Sequence, residues 1–335
     1  MAKVRCGIVG LGRIGSLLEE DMLREKPCTH AGAIAVSGDC ILAGGCDIDE
    51  RRRALFSARW KCRAVFADFE EMLEKTSPQI LSIATPPATH LELVERALPH
   101  GVKVIVCEKP LAADAADAGR IDEIHGSGRV KILTNHQRRY SRDYVRAKER
   151  VCSGSFGALL SVSSKLFMGE AGYVTDVLLD DGTHLVDILR YLTGSELGDP
   201  VVRLASAAGP FPPGKGRGVT LFVESSAGRV PVLMEIGTGR DYVQFELDLC
   251  FASGRIRIGN GLFEEYAGGE SPYYERMRSL LKLRTRRPAT TGYFSNMLKD
   301  AVLCARDPKQ EPRSSARDGY LALRFIDAVK TAIGD

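Results

Sequence analysis

Three groups of residues in this chain have the types and spacing to do chemistry. Asp180, His184, Asp187 and Tyr191 fall in one narrow sector of a helix at 3.6 residues per turn, while Leu185, Val186, Leu189 and Leu192 cover the remaining arc. The spacing puts one polar stripe on an otherwise buried helix, Gly182 to Leu192. A histidine titrates near neutral pH, and a neighbouring carboxylate orients it and raises its basicity, which suits a general base that takes an alcohol proton. A core histidine satisfied by a structural aspartate fits the same spacing. Lys109 follows the apolar run Val102 to Cys107, which reads as a strand. A lysine at the carboxyl end of a parallel strand can hydrogen-bond a substrate oxygen and stabilise negative charge on it. Taken alone, such a lysine is more often a solvated surface residue; Pro110 behind it and Glu108 beside it set this one apart.

The third group is Gly10-Leu11-Gly12-Arg13-Ile14-Gly15, which follows an apolar strand, Lys3 to Val9, and opens a helix expected over Arg13 to Lys26. Gly10 permits a tight turn, Gly12 lets the backbone approach a pyrophosphate, and Gly15 lets helix and strand pack closely. A diphosphate would rest at the helix N-terminus, where unpaired N–H groups and the macrodipole favour negative charge. The alternative is a tight turn without a ligand. Asp47 ends the second strand, where a carboxylate accepts from ribose hydroxyls and repels a 2'-phosphate, favouring NAD over NADP. Its separation from Gly15 exceeds the usual ~20 residues, so Pro27 to Asp39 reads as an insertion. Arg51 to Arg53 are close enough to pair with a phosphate, which leaves NADP open.

The elements that must position these residues alternate through residue 135: strands at 40–46, 79–84, 102–107 and 129–134, helices at 50–60, 89–100 and 113–125. This rhythm predicts an α/β fold, with residues 1–135 forming a doubly wound parallel sheet, a Rossmann domain. Residues 136–335 are expected to form an α+β domain for substrate binding and oligomerisation, with a large, mostly antiparallel, open-faced sheet. Its strands are read at 159–167, 201–207, 219–224, 230–236, 242–250 and 255–258. Tyr242-Val-Gln-Phe-Glu-Leu-Asp-Leu alternates strictly, as a strand with one wet face does. Helices at 293–304 and 314–333 close the chain, and the last could pack back on the first domain. The proline- and glycine-rich stretch 209–216 reads as a loop.

A chain of 335 residues is long enough for two domains. With 27% charged residues and a net charge of +3 it is too mildly basic to imply a nucleic-acid surface. The runs Arg51 to Arg53 and Arg284-Thr285-Arg286-Arg287 read as solvated faces. The first residues lead straight into a strand without the apolar core of a secretory signal, and no run reaches membrane-spanning length. Nine cysteines are scattered singly, which reads as reduced thiols in a cytoplasmic protein. No pair of ligating residues has an established metal spacing, so no metal site is expected.

The sequence resembles the glucose-fructose oxidoreductase, inositol dehydrogenase and MocA family. Besides the glycine motif, it carries Thr85-Pro86-Pro87-Ala88-Thr89-His90, then Glu108-Lys109-Pro110, then Asp180-Asp181-Gly182-Thr183-His184-Leu185-Val186-Asp187, matching the family's motifs in order across nearly the whole chain. The resemblance implies an NAD(P)-dependent dehydrogenase acting on a secondary alcohol or ketone of a sugar, inositol or sugar derivative. It makes Lys109, His184 and Asp180 catalytic, with Lys109 and His184 expected to meet across one crevice. It places Gly10, Gly12, Arg13, Ile14, Gly15, Asp47, Thr85, Pro86, His90, Glu108 and Lys109 about the cofactor, Glu108 near the nicotinamide ribose. Packing of its own helix explains His90 equally well. Arg138, Arg139 and Asp187 are candidate substrate contacts, an interdomain salt bridge being the alternative for the arginines. A small-molecule substrate, no nucleic acid, no membrane and a homo-oligomer, dimer or tetramer, complete the expectation. Two other activities stay open: a non-enzymatic NAD-sensing regulator, and a redox-neutral glycosidase in which bound NAD is regenerated.

Overall fold

The computed structural model describes residues 2–169, 173–206, 219–284 and 290–334. Parallel strands are covered on both faces and therefore read as continuous apolar runs, and here β1 (Val4–Val9) is buried everywhere except Arg5. It lies in a six-stranded sheet with β2 (Cys40–Cys46), β3 (Val65–Phe66), β4 (Ile80–Ile83), β5 (Val104–Cys107) and β6 (Lys131–Thr134). The order is β3-β2-β1-β4-β5-β6 and every pairing is parallel. This is the doubly wound order, in which ligands bind outside the carboxyl ends of the strands, where the order reverses between β1 and β4.

Helices α1 (His30–Val36), α2 (Glu50–Trp60), α3 (Phe69–Thr76), α4 (His90–Ala97) and α5 (Ala115–Gly126) connect these strands. The compact unit that contains them comprises Met1–Ser141 with Thr290–Leu323. Phe294, Met297, Leu298, Ala301 and Val302, from a helix near the chain's end, join Ile8, Leu11, Ile80 and Val106 in its core. In this unit β3, too short to show a period, and α3 after it went unread in the sequence, as did the helix at 142–153 and the strands at 262–270 and 278–282 of the second unit.

The second unit is Arg142–Ala289 with Arg324–Asp335, in their described residues. It has α6 (Arg142–Ser153), β7 (Leu159–Met168), a helical stretch made of α7 (Val174–Val177), a π turn (Leu178–Gly182) and α8 (Thr183–Thr193), and then β8 (Val201–Ser206) to β14 (Arg278–Lys282). Between the last two run β9 (Val219–Ala227), β10 (Val230–Gly237), β11 (Val243–Phe251), β12 (Gly254–Gly259) and β13 (Leu262–Glu270). The eight strands order as β14-β13-β12-β11-β7-β10-β9-β8, antiparallel except for β10 beside β7. In β11, Phe245, Leu247, Leu249 and Phe251 are buried while Glu246 and Asp248 face solvent, as the alternation requires. Asp248 accepts from Arg255 across the strand pair at 2.8 Å. α9 (Tyr293–Arg306) and α10 (Ala316–Ala332) end the chain.

Among the described residues no helix is long and apolar enough to cross a membrane. The stretch 209–216 and residues 285–287 of the second basic run lie outside the described residues.

The helix expected over Arg13 to Lys26 is not formed. One 3-10 turn covers Leu17–Glu20, and a helix occupies His30–Val36, within the segment read as an insertion. Side chains that bond the backbone locally compete with helical bonding, and here several do so. Asp21 Oδ1 accepts from Leu23 N at 3.0 Å, Lys26 Nζ donates to the carbonyl of Asp21 at 2.7 Å, and Glu19 Oε2 accepts from Cys28 N and Thr29 Oγ1 at 3.1 and 2.7 Å. The carbonyls of Ile14 and Gly15 accept from His30 N and Ala31 N, each at 3.1 Å, capping α1 instead of prolonging the turn.

Candidate functional site

At the end of β1, Gly10 has φ +88°, and a Cβ there would lie 2.5 Å from the carbonyl oxygen of Ala84. Only glycine tolerates both. A Cβ on Gly15 would meet the carbonyl oxygen of Gly10 at 2.0 Å, so this residue lets the turn close on itself. Gly12 differs: the nearest atom to a Cβ there is an Arg52 guanidinium nitrogen at 3.6 Å, and the face of Gly12 is otherwise open. Among the described residues, nothing accepts from the N–H groups of Gly12, Arg13, Ile14 and Gly15. Consecutive unpaired amides form an anion-binding concavity. The expected helix N-terminus is thus replaced by a nest of loop amides, and the anion site does not depend on a helix dipole.

Beside this turn is a cleft of about 510 Å³ lined by Gly10, Gly12, Asp47, Ile48, Thr85 and Pro86, among others. Asp47 Oδ2 accepts from Leu11 N at 2.8 Å and Oδ1 accepts from Asp49 N at 2.9 Å, so the carboxylate also locks the glycine turn to β2. Ile48, 91% exposed, gives the cleft an apolar surface that an adenine ring would cover. The residues present fit a dinucleotide: open glycine floor, unpaired amides, an acidic group at the end of β2 and an apolar wall.

His90 does not line this cleft. It is fully buried, with Nε2 2.9 Å from the carbonyl oxygen of Thr85 and Nδ1 3.1 Å from that of Leu111. It therefore ties the loop after β4, which forms a cleft wall, to the loop after β5, which carries Lys109. Burial pulls its pKa below the ordinary value, against the two carbonyls, which raise it. The reading of His90 as a cofactor contact is corrected to this bridging role, since its ring is enclosed by backbone.

Glu108 is buried too. Its Oε1 lies 2.7 Å from His30 Nε2 and accepts from Asn135 Nδ2 at 2.6 Å, while Oε2 faces Lys109 N at 3.4 Å. Burial alone would raise this carboxyl, but the bonds from His30 and Asn135 and the charges of His30 and Lys109 outweigh it and hold the pKa low. With Oε1 held by two side chains, Glu108 anchors the segment leading to Lys109. Lys109 itself is half-buried at the carboxyl end of β5. His30 and Asn135 were missed in the sequence; they stand 78 and 27 residues from Glu108, and no local pattern signals such contacts.

Arg139 is buried and donates to Asp318 Oδ1 and to the carbonyl of Arg313, both at 2.9 Å, within the same unit. A guanidinium held this way is structural, which corrects its reading as a substrate contact. Arg138 is half-buried on the same turn. Arg13 is exposed, and neither it nor Ile14 lines the cleft; both belong to the amide nest through their backbone.

In the second unit, His184 and Asp187 are buried on α8, and Asp187 lies 3.9 Å from Arg190, whose guanidinium holds Glu196 through two bonds of 2.7 Å. Asp180 sits on the π turn, exposed. A π turn adds a residue to the helical repeat and recurs at functional sites. Thr85, Pro86 and Asp47 line the cleft beside the glycine turn.

Residues 4–136 match a family model described as an oxidoreductase family with an NAD-binding Rossmann fold. The chain is 28% identical over 203 residues to a myo-inositol 2-dehydrogenase of Thermotoga maritima, covering 58% of this chain and 56% of that protein. It is 26% identical over 275 residues to an inositol 2-dehydrogenase of an Arthrobacter species, covering 81% and 75%. The first match thus spans little more than half of the relative's own length. Among solved structures, a UDP-N-acetylglucosamine 3-dehydrogenase from Acidithiobacillus ferrooxidans superimposes with a TM-score of 0.75 at 19% identity, covering 99% of this chain and 98% of that one. At that identity the likeness concerns the fold.

Proposed function

Because the dinucleotide domain of this chain belongs to the glucose-fructose oxidoreductase, inositol dehydrogenase and MocA family, we propose that the protein moves a hydride reversibly between NAD(P) and a secondary alcohol of an inositol, a sugar or a sugar derivative. The observation that carries this reading is the cleft at the carboxyl ends of β1, β2 and β4. Its open Gly12 floor and unpaired amides suit a diphosphate, and Lys109 ends β5 in the same sheet. The substrate class rests on the relatives named as inositol 2-dehydrogenases.

When bound, the nicotinamide supplies the two-electron acceptor or donor for the carbinol carbon. In the oxidative direction His184 takes the hydroxyl proton and Lys109 hydrogen-bonds the oxygen, stabilising the charge that grows on it. In reduction the lysine polarises the carbonyl and the histidine returns the proton. Asp180, exposed on the π turn, is assigned to the substrate. Glu108 holds the backbone of Lys109 from behind, with His30 and Asn135 holding Glu108.

The test is a thermal-shift screen of NAD⁺ and NADP⁺, then inositols, sugars and nucleotide sugars with cofactor present, followed by nicotinamide absorbance on the hits. A ligand of the native state raises the melting temperature. Stabilisation by a dinucleotide and a substrate-dependent absorbance change are expected. Binding without turnover across the screen would favour a sensing role, and turnover of a glycoside without net absorbance change a redox-neutral one.

A further inference from the structure

The three arginines that open α2 have separate fates. Arg53 donates to the carbonyls of Asp47 and Ile48 at 2.8 and 3.0 Å and braces the turn after β2. Arg51 is exposed and does not line the cleft. Arg52 does line it, with its guanidinium over Gly12. It stands 3.7 Å from Asp47 Oδ2 and 3.7 Å from Asp49 Oδ2, beyond hydrogen-bond reach of either, and is 49% exposed. The contact with Asp49 is exposed on both sides and costs little to give up, and buried Asp47 keeps its two backbone amides when Arg52 turns away.

Asp47 occupies the place from which an acidic residue usually excludes a 2'-phosphate. Here each of its oxygens already accepts from a backbone amide, which holds its orientation and partly compensates its charge. The other cation of the cleft, Arg96, is committed to Glu70 and Glu92 at 3.1 and 3.0 Å. Of the remaining acidic groups on the wall, Glu92 is held by Arg96, and Asp68 accepts from Glu71 N at 2.8 Å. Arg52 is therefore the lining cation placed to turn toward an added phosphate at the adenosine end.

We infer that Arg52, and not Asp47, sets cofactor selectivity, and that the cleft accepts a 2'-phosphorylated dinucleotide beside the unphosphorylated one. A guanidinium fork matches a phosphate through paired, charge-assisted bonds. This inference rests on the dinucleotide reading above.

The test measures dissociation constants of NAD⁺ and NADP⁺ by calorimetry on the full chain, wild type, Arg52→Ala and Arg51→Ala. The wild type should hold the two dinucleotides within about tenfold of each other. Arg52→Ala should weaken NADP⁺ by about tenfold or more while changing NAD⁺ by less than about threefold. Arg51→Ala, on the same exposed turn, should leave the ratio unchanged. A wild type that discriminates more strongly, a smaller shift of the ratio in Arg52→Ala, or an equal shift in Arg51→Ala overturns the inference while leaving the dinucleotide reading intact. Failure of the wild type to bind either dinucleotide overturns that reading itself.

Discussion

Nε2 of His30 lies 2.7 Å from Oε1 of Glu108, with both side chains shut away from solvent, one at the start of α1 and the other just past β5. Truncating one member of a buried pair leaves the other uncompensated, which is costlier than losing the bond itself. His30→Ala should destabilise the chain by about 3 kcal/mol, read as a lower urea midpoint at unchanged slope. A change below about 1 kcal/mol would show that water reaches Glu108.

Two glycines of one turn should respond oppositely to the same substitution. Gly10→Ala forces a Cβ into the backbone at Ala84 in a left-handed conformation, for a loss of about 3 kcal/mol or more. Gly12→Ala puts its methyl into open space, so stability should change by less than about 0.5 kcal/mol. Dinucleotide affinity should nonetheless fall by about tenfold or more in that variant, because the methyl occupies the diphosphate's approach. Melting curves with and without NAD⁺ separate the two cases, and a Gly12→Ala protein that still binds normally would refute the cradle.

His90 gives stability a pH dependence. Its folded pKa is depressed below the ordinary 6.5, first by burial. The unfolded chain therefore binds a proton near that value which the folded chain declines, so the contribution is complete above 6.5 and is lost as pH falls below it. The melting temperature should drop between about pH 7.5 and about pH 5.5, and His90→Gln should flatten that slope. His125 shifts in the same direction and stays in both proteins, so the difference between them belongs to His90. An unchanged slope would contradict the enclosed ring.

Arg139 should matter for folding and not for substrate. Arg139→Ala takes the cation from Asp318, which keeps Ser315 on its other oxygen, and a donor from the Arg313 carbonyl, with an expected loss of about 3 kcal/mol. At temperatures where the variant is folded, KM should match the wild type. A raised KM with unchanged stability would restore it as a substrate contact.

Lys109→Ala and His184→Gln should each lower turnover by about 10²-fold or more once a substrate is known, with the NAD⁺ dissociation constant within about threefold of wild type. Equal loss of binding in both variants would make these side chains structural.

Much of the architecture was legible because the two periods are local properties. Continuous apolar runs such as Val104–Cys107 announced buried parallel strands, and the alternation along β11 announced a sheet with one wet face. The Gly10, Asp47, Thr85 and Pro86 positions followed from motif context, since turn glycines and strand ends are also defined within a few residues. The missed reading of 13–26 has a cause that propensity cannot register. Arg13 to Lys26 has helical composition, yet Glu19, Asp21 and Lys26 spend their side chains on nearby backbone, a competition that propensity does not price.

Residue chemistry and much of the short-range order, then, were settled by the sequence: which longer apolar or alternating runs are strands, which turn demands glycine, which lysine and histidine have the types for proton and charge transfer. What Glu108, His90 and Arg139 do was settled only by the fold. Each is a polar side chain that must find partners once buried. Apart from the Thr85 carbonyl, five residues from His90, those partners, His30 and Asn135 for Glu108, the Leu111 carbonyl for His90 and Asp318 for Arg139, are brought within 3.1 Å by chain crossings that no local pattern encodes.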